Sequence, residues 1–178
     1  MRLFIAINIP EEIKEYILTI QKQILDDSPK IKLVNKQQMH LTLKFLGEVA
    51  PSKAKETIAE LKRKKFKKFS FYLDSVGVFP DENHIRVLWV GFKPEENIIS
   101  LQKGIDSNLE RLFKKEKGFK PHITLCRVKY IEDKDTFLKK IKNIKIENKK
   151  IEVKDFRLIK STLTSDGPIY EDLEIFYE

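Results

Sequence analysis

A chain of 178 residues is long enough to bury one sizeable core, or to form two smaller lobes that share an interface. Its single cysteine excludes an internal disulfide framework and any metal or redox site of the CxxC type. The net charge of +8 favours a polyanionic partner such as nucleic acid. Lysines outnumber arginines 29 to 6, a bias that also arises in proteins adapted to high temperature, so charge alone does not establish RNA binding.

The N-terminus leads directly into a strand-like segment. Met1 and Arg2 are followed by apolar and β-branched residues, without a signal-peptide cleavage site or an apolar stretch long enough to cross a membrane. We therefore expect a soluble, cytoplasmic protein without membrane contact, and we expect it to be a monomer.

Apolar periodicity and turn residues predict a mixture of helices and strands. Pro10, Pro51 and Pro94 mark helix starts, because proline fits the first helical turn. Alternating apolar residues predict strands. In chain order we predict strand 2–9, helix 10–26, strand 31–34, a strand ending at 47, helix 51–65, hairpin strands 69–79 and 85–92, a helix from 94 that stops by 118, a strand after 121, helix 133–144, and strands 151–161 and 170–177 joined by a turn at 165–168.

One tetrapeptide occurs twice. His40-Leu41-Thr42-Leu43 recurs 82 positions later as His122-Ile123-Thr124-Leu125, in a chain with only three histidines. In a β-strand, side chains alternate between the two faces, so each histidine shares a face with its threonine. The apolar residues then anchor the other face to the core. Each copy is therefore predicted to present an imidazole beside a hydroxyl.

The order strand, helix and several strands is given approximately twice, with one histidine strand in each half. This order differs from the regular alternation of a doubly wound sheet. We predict an α+β fold with two pseudo-symmetric lobes, each an antiparallel-rich sheet with helices on its outer face, and a groove between them. No low-complexity linker separates the lobes, so we expect residues 1–178 to form a single bilobal domain.

Two imidazoles that face one groove are suited to proton transfer at both ends of a displacement. With an ordinary pKa near 6.5, one ring can accept a proton from the nucleophile while the other gives one to the leaving oxygen. The hydroxyls of Thr42 and Thr124 can donate to the non-bridging oxygens of a phosphoryl group. This arrangement favours a phosphodiester substrate and requires neither a metal nor another cofactor.

Two segments, 40–47 and 121–127, resemble the paired H-x-T-x motifs of the two-histidine (2H) phosphoesterases. They are most similar to the branch of RNA 2′,3′-cyclic phosphodiesterases, also called 2′-5′ RNA ligases. Segments 2–6 and 86–91 are similar to the same branch, so the resemblance spans most of the chain.

The resemblance implies hydrolysis of an RNA or nucleoside 2′,3′-cyclic phosphate to the 2′-phosphomonoester. It implies that His40 is the proton donor and His122 the proton acceptor, although the pseudo-symmetry makes these roles easy to exchange. The expected partners are RNA 3′ ends or nucleotides that carry a 2′,3′-cyclic phosphate.

Four further residues near the motifs need separate interpretation. Arg127 is expected to bind phosphate or the terminal base, but simple alternation places it on the core face, so it reaches the groove only if the strand bulges or ends there. Lys44 shares the parity of His40, which makes either a phosphate contact or an exposed lysine possible. Cys126 is interpreted as an apolar filler. His84 lacks the following threonine and lies beside a predicted turn.

Three aromatic residues and the overall charge leave alternatives open. Phe4, Phe79 and Trp89 are able to stack on a base, although core packing is the preferred interpretation. Alternative reactions for the same site are the joining of RNA ends through a 2′-5′ linkage and the hydrolysis of another small cyclic phosphate. A basic RNA-binding module without catalysis is the alternative from a different class, and it would require neither histidine.

Overall fold

The computed structural model describes residues 1–24, 30–165 and 167–178. The predicted end of the first helix, near residue 26, and part of the turn at 165–168 lie outside these residues. In chain order the elements are β1 (Arg2–Asn8), α1 (Glu11–Ile24), β2 (Ile31–Leu33), the 3-10 turn η1 (Lys36–Gln38), β3 (His40–Glu48), α2 (Pro51–Lys62), β4 (Phe69–Pro80), β5 (Ile85–Lys93), α3 (Glu96–Asn108), β6 (Ile123–Val128), α4 (Lys134–Lys142), β7 (Lys150–Val153), β8 (Asp155–Thr164) and β9 (Gly167–Tyr177).

The strands form two antiparallel sheets, which confirms the predicted α+β class. The first sheet has the order β3-β1-β8-β9 and the second has the order β2-β6-β5-β4-β7. Each sheet draws strands from both halves of the chain: β2 joins the second sheet, while β8 and β9 join the first. The repeated order of elements did not predict this exchange.

The strand predicted at 151–161 is wrong, because this segment contributes to both sheets. Residues 150–153 form β7 beside β4, and β8 begins at Asp155 and pairs with β1. The buried side chains change phase at the break, from Ile151 and Val153 to Phe156 and Leu158. An extended strand keeps one phase, so this shift was a signal in the sequence that the prediction missed.

The helices bury one stripe each, as a period of 3.6 residues requires. Helix α1 buries an isoleucine stripe that includes Ile13, Ile17 and Ile20. It packs against β6 of the second sheet, whereas α3 packs against β3 of the first. Each of these helices therefore supports the histidine strand of the opposite half. No helix in the described ranges is both long and apolar enough to cross a membrane.

A buried ion pair joins β3 to α3. Lys44 is 2% exposed, and its Nζ donates to Asp106 Oδ1 at 2.5 Å and to the Lys114 carbonyl at 2.6 Å. The second oxygen of Asp106 accepts from Gln102 Nε2 and from the Glu116 backbone N–H, both at 2.9 Å. Burial by itself would raise the pKa of Asp106, but these donors, with Lys44 foremost, hold it below its ordinary value.

We expect Lys44→Met to lower the free energy of unfolding by about 3 kcal/mol, because Asp106 would stay buried without its cation. Urea denaturation at pH 7 measures the change. Folding lowers the pKa of Asp106, so the pair stabilises the protein above the unfolded-state pKa of this group. That contribution disappears as the pH falls, and the difference between wild type and variant should shrink in acid.

Lys142→Met is the matched control, since Lys142 forms an ion pair with Glu82 on the surface. It should cost less than about 0.5 kcal/mol. Equal stability of the Lys44 and Lys142 variants would contradict the role of the buried pair.

Candidate active site

The histidines of the two motifs line one cavity of about 370 Å³ between the sheets. His40 and Thr42 enter it from β3, and His122 and Thr124 enter it from β6 and the residue before it. Arg127 also lines the cavity. Among the described residues that line it there is no Asp or Glu, so the site attracts an anion.

The strand β3 bulges within its motif. Ile5 of β1 lies opposite Lys44, but the next residue, Ala6, lies opposite Thr42. Leu43 is therefore an extra residue without its own partner on β1, which is the definition of a β-bulge.

The strand β6 bulges at the equivalent position. Leu88 of β5 lies opposite Cys126, whereas the next residue, Trp89, lies opposite Thr124. Leu125 is the extra residue. The fourth residue of each tetrapeptide thus interrupts the regular ladder.

Each bulge reverses which face the following side chains occupy. After Leu125, the side chain of Arg127 turns into the cavity. A bulge before Arg127 was one of the two conditions under which the sequence predicted that it would reach the groove. After Leu43, the exposed ring of Phe45 reaches the same cavity. Phe45 follows His40 by the same interval that separates Arg127 from His122.

The prediction of a phosphate contact for Lys44 is wrong. Regular alternation would have placed Lys44 beside His40, but the bulge turns it into the core, where Asp106 binds it. Cys126 turns inward for the same reason, and burial raises the pKa of its thiol to about 11. A buried thiol of this kind does not serve as a nucleophile, in agreement with its interpretation as a filler.

His40 lies in an aromatic recess. Its ring is 4.7 Å from the Phe4 ring and meets the Tyr170 ring edge-on at 5.2 Å. Burial, together with the smaller effect of the nearby His122 charge, lowers the pKa of His40 to about 4, although the Gln38 backbone acts in the opposite direction. The buried Nδ1 of His40 forms no hydrogen bond of regular geometry with the described residues.

His122 has a fixed orientation. Its Nδ1 lies 2.8 Å from the Lys120 carbonyl, to which it donates, and the Phe79 ring meets it edge-on at 4.9 Å. Burial lowers the pKa of His122, while the Lys120 carbonyl acts in the opposite direction. In the neutral ring, a proton on Nδ1 leaves Nε2 free to accept one. His84, by contrast, lies at an exposed turn outside the cavity.

Several cavity residues were missed from the sequence. Lys32 on β2, Phe45 on β3 and Tyr170 on β9 all line the cavity. Their local patterns are those of ordinary strand residues, and only pairing with distant strands brings them to the site. Phe79, for which core packing was preferred, also lines the cavity.

A buried glutamine holds the second bulge in place. Gln21 of α1 is 2% exposed, and its Nε2 donates to the Leu125 carbonyl at 2.7 Å and to the Val34 carbonyl at 2.9 Å. The Val34 backbone N–H also donates to Leu125. An element of the first half thus fixes the bulge that aims Arg127.

Comparisons with known proteins agree with this geometry. A family profile described as LigT-like phosphoesterase matches the chain twice, at residues 7–89 and 90–170. Each match contains one histidine motif. The chain belongs to the LigT-like phosphoesterase family. The family and the phosphoesterase class predicted from the two motifs are therefore confirmed.

Relatives within the LigT-like family cover nearly the whole chain. A Methanocaldococcus jannaschii protein named RNA 2′,3′-cyclic phosphodiesterase is 44% identical over 96% of this chain and 97% of its own length. A Thermotoga maritima protein of the same name is 36% identical, over 97% of this chain and 93% of its own.

Solved structures confirm the two-lobed LigT-like fold. A Thermus thermophilus protein superposes with a TM-score of 0.84 at 30% identity, over 99% of this chain and 97% of its own. Escherichia coli LigT, solved in complex with 3′-AMP, gives a TM-score of 0.80 at 28% identity, over 99% and 97% of the two chains.

We expect Gln21→Met to lower the free energy of unfolding by about 2 kcal/mol, because the Val34 and Leu125 carbonyls lose a buried donor. It should also weaken the binding of inorganic phosphate several-fold, since Arg127 is no longer held in place. Urea denaturation and calorimetry measure the two effects. Gln23→Met on the exposed face of α1 is the matched control and should change neither. Lost stability with unchanged phosphate affinity would limit Gln21 to a structural role.

We expect the His40 imidazole to titrate near pH 4 in the free protein and to shift upward when inorganic phosphate binds, because an adjacent anion favours the charged ring. NMR titration of the three histidines measures this. Unfolding exposes His40 and restores its ordinary pKa of 6.5, so its burial should reduce stability as the pH falls from about 6.5 to about 4. A His40 signal that phosphate leaves unchanged would contradict an anion site beside this ring.

Proposed function

We propose that this protein hydrolyses the 2′,3′-cyclic phosphate of an RNA end or nucleoside to the 2′-phosphomonoester without a metal ion. The observation that carries the proposal is the convergence of two imidazoles and two threonine hydroxyls on one cavity that has cations and no carboxylate in its described lining. Two relatives with the corresponding name, and the nucleotide complex of LigT, support this choice of substrate.

In the proposed reaction, His122 is the base. Its Nδ1 proton is committed to the Lys120 carbonyl, so Nε2 takes a proton from water as the water oxygen attacks phosphorus. The bond between phosphorus and the 3′ oxygen breaks. His40 then protonates the departing 3′ oxygen, and the 2′ oxygen keeps the phosphate. Proton exchange with solvent restores both rings.

Burial supports the assignment of His40 as the acid. A ring with a pKa of about 4 holds a proton weakly, so the protonated imidazole of His40 donates that proton readily. Binding of the anionic cyclic phosphate promotes protonation of His40, because a negative charge beside the ring favours its protonated form. His40 therefore becomes a competent acid when the substrate occupies the cavity.

The remaining polar groups stabilise the charge that develops on phosphorus. The hydroxyls of Thr42 and Thr124 donate to the two non-bridging oxygens, one from each lobe. Arg127 supplies a fixed positive charge beside them. Because these groups come from both sheets, residues 1–178 act as one bilobal catalytic domain.

We expect His40→Ala and His122→Ala each to reduce turnover of 2′,3′-cyclic AMP by a factor on the order of 10² to 10⁴. The product of the wild type should be adenosine 2′-phosphate, and a chelator should not change its rate. His84→Ala is the control, since this histidine lies at an exposed turn. Chromatography against 2′- and 3′-phosphate standards measures both rate and product.

Three results would overturn the proposal. Loss of activity with chelator and recovery with a divalent ion would require a metal-dependent mechanism. RNA binding without turnover would favour a binding module. Joining of RNA ends without hydrolysis would favour a ligase.

A further inference from the structure

Two cations lie side by side on the wall of the cavity. Lys32 of the edge strand β2 pairs directly opposite Arg127 of β6, and both side chains line the cavity. Like charges at directly opposite positions of an antiparallel pair repel each other. The two like charges are therefore held together in the lining of the cavity that contains the histidines.

No carboxylate compensates the pair within the described parts of the chain. Neither Lys32 nor Arg127 forms an ion pair with an acidic residue there, and the described lining of the cavity has no Asp or Glu. Arg157 on the first sheet differs from this pair, because its charge is neutralised by ion pairs with Asp155 and Asp172. An unneutralised cross-strand pair is therefore a place where a bound anion would remove the repulsion.

The reacting phosphate does not require both cations. A 2′,3′-cyclic phosphate carries a single negative charge, and the threonine hydroxyls and Arg127 already face it. Lys32 lies on the strand beyond the one that carries Thr124, about 5 Å past Arg127 by the ordinary spacing of paired strands. It is therefore placed beside the reacting phosphate rather than on it.

We propose that Lys32 and Arg127 form a second anion subsite, which holds the internucleotide phosphate on the 5′ side of the terminal nucleotide. This inference rests on the proposed function and names its substrate class: the end of an oligonucleotide rather than a free nucleoside cyclic phosphate. Arg127 is shared between the two phosphates, whereas Lys32 contacts only the second. Lys32 is thus a specificity-determining residue.

The experiment compares three substrates that differ in the second phosphate. They are 2′,3′-cyclic AMP, the dinucleotide ApA with a terminal 2′,3′-cyclic phosphate, and the same dinucleotide with an uncharged methylphosphonate linkage. Lys32→Gln should lower kcat/KM for the charged dinucleotide about tenfold. It should change kcat/KM for the other two substrates less than twofold. For the wild type, added salt should reduce the ratio of kcat/KM for the charged dinucleotide to kcat/KM for 2′,3′-cyclic AMP.

Lys30→Gln is the matched control. Lys30 lies just before β2, its Nζ lies over the Tyr130 ring, and it does not line the cavity. The same loss of charge at this position should leave all three substrates unaffected. Both lysines are exposed, so neither variant threatens folding.

The outcomes separate this inference from the proposed function. If Lys32→Gln affects all three substrates equally, or none of them, the second subsite is overturned while the cyclic phosphodiesterase activity stands. If the wild type hydrolyses none of the three, the proposed function fails first. A wild type that hydrolyses only the charged dinucleotide, with the loss on Lys32→Gln, supports the subsite.

Discussion

The geometry of the site depends on two β-bulges, one after each His-x-Thr unit. Regular alternation places histidine and threonine on the cavity face, and each bulge then reverses the face of the residues that follow. A bulge leaves backbone groups outside the regular ladder, and buried groups of this kind need partners. At Leu125 the partner is Gln21, and beside Leu43 the buried Lys44 is bound by Asp106. Each anchor comes from the helix of the opposite half.

This exchange of support makes the two sheets mutually dependent. Helix α1 rests on β6, and α3 rests on β3, while β2, β8 and β9 lie in the sheet of the other half. Movement of one sheet would therefore disturb buried hydrogen bonds in the other. The two histidines belong to different sheets, so the same packing that forms the core also fixes how far apart they lie. Preorganised positions are what acid and base catalysis on one phosphorus atom requires.

Electrostatics in the cavity complement the packing. Burial lowers the pKa of both histidines, and the fixed carbonyl at Lys120 orients His122. The absence of carboxylates from the described lining leaves the cations of the wall without compensation. An empty cavity therefore disfavours protonated histidine, whereas a bound phosphate favours it. In the proposed mechanism, the substrate itself prepares the acid.

The repeated His-x-Thr units, the α+β class and the shared face of histidine and threonine could be predicted from the order of amino acids, because they follow from local alternation and residue chemistry. Long-range packing was needed to show that Arg127 faces the cavity, that Lys44 is buried and that Lys32 joins the site. Alternation predicts a side chain's direction only while the ladder is regular, and each bulge depends on distant partners: Gln21 lies more than 100 residues from Leu125, and Asp106 lies 62 residues from Lys44. The exchange of β2, β8 and β9 between the sheets is likewise a property of packing, since no local pattern specifies which distant strand becomes a neighbour.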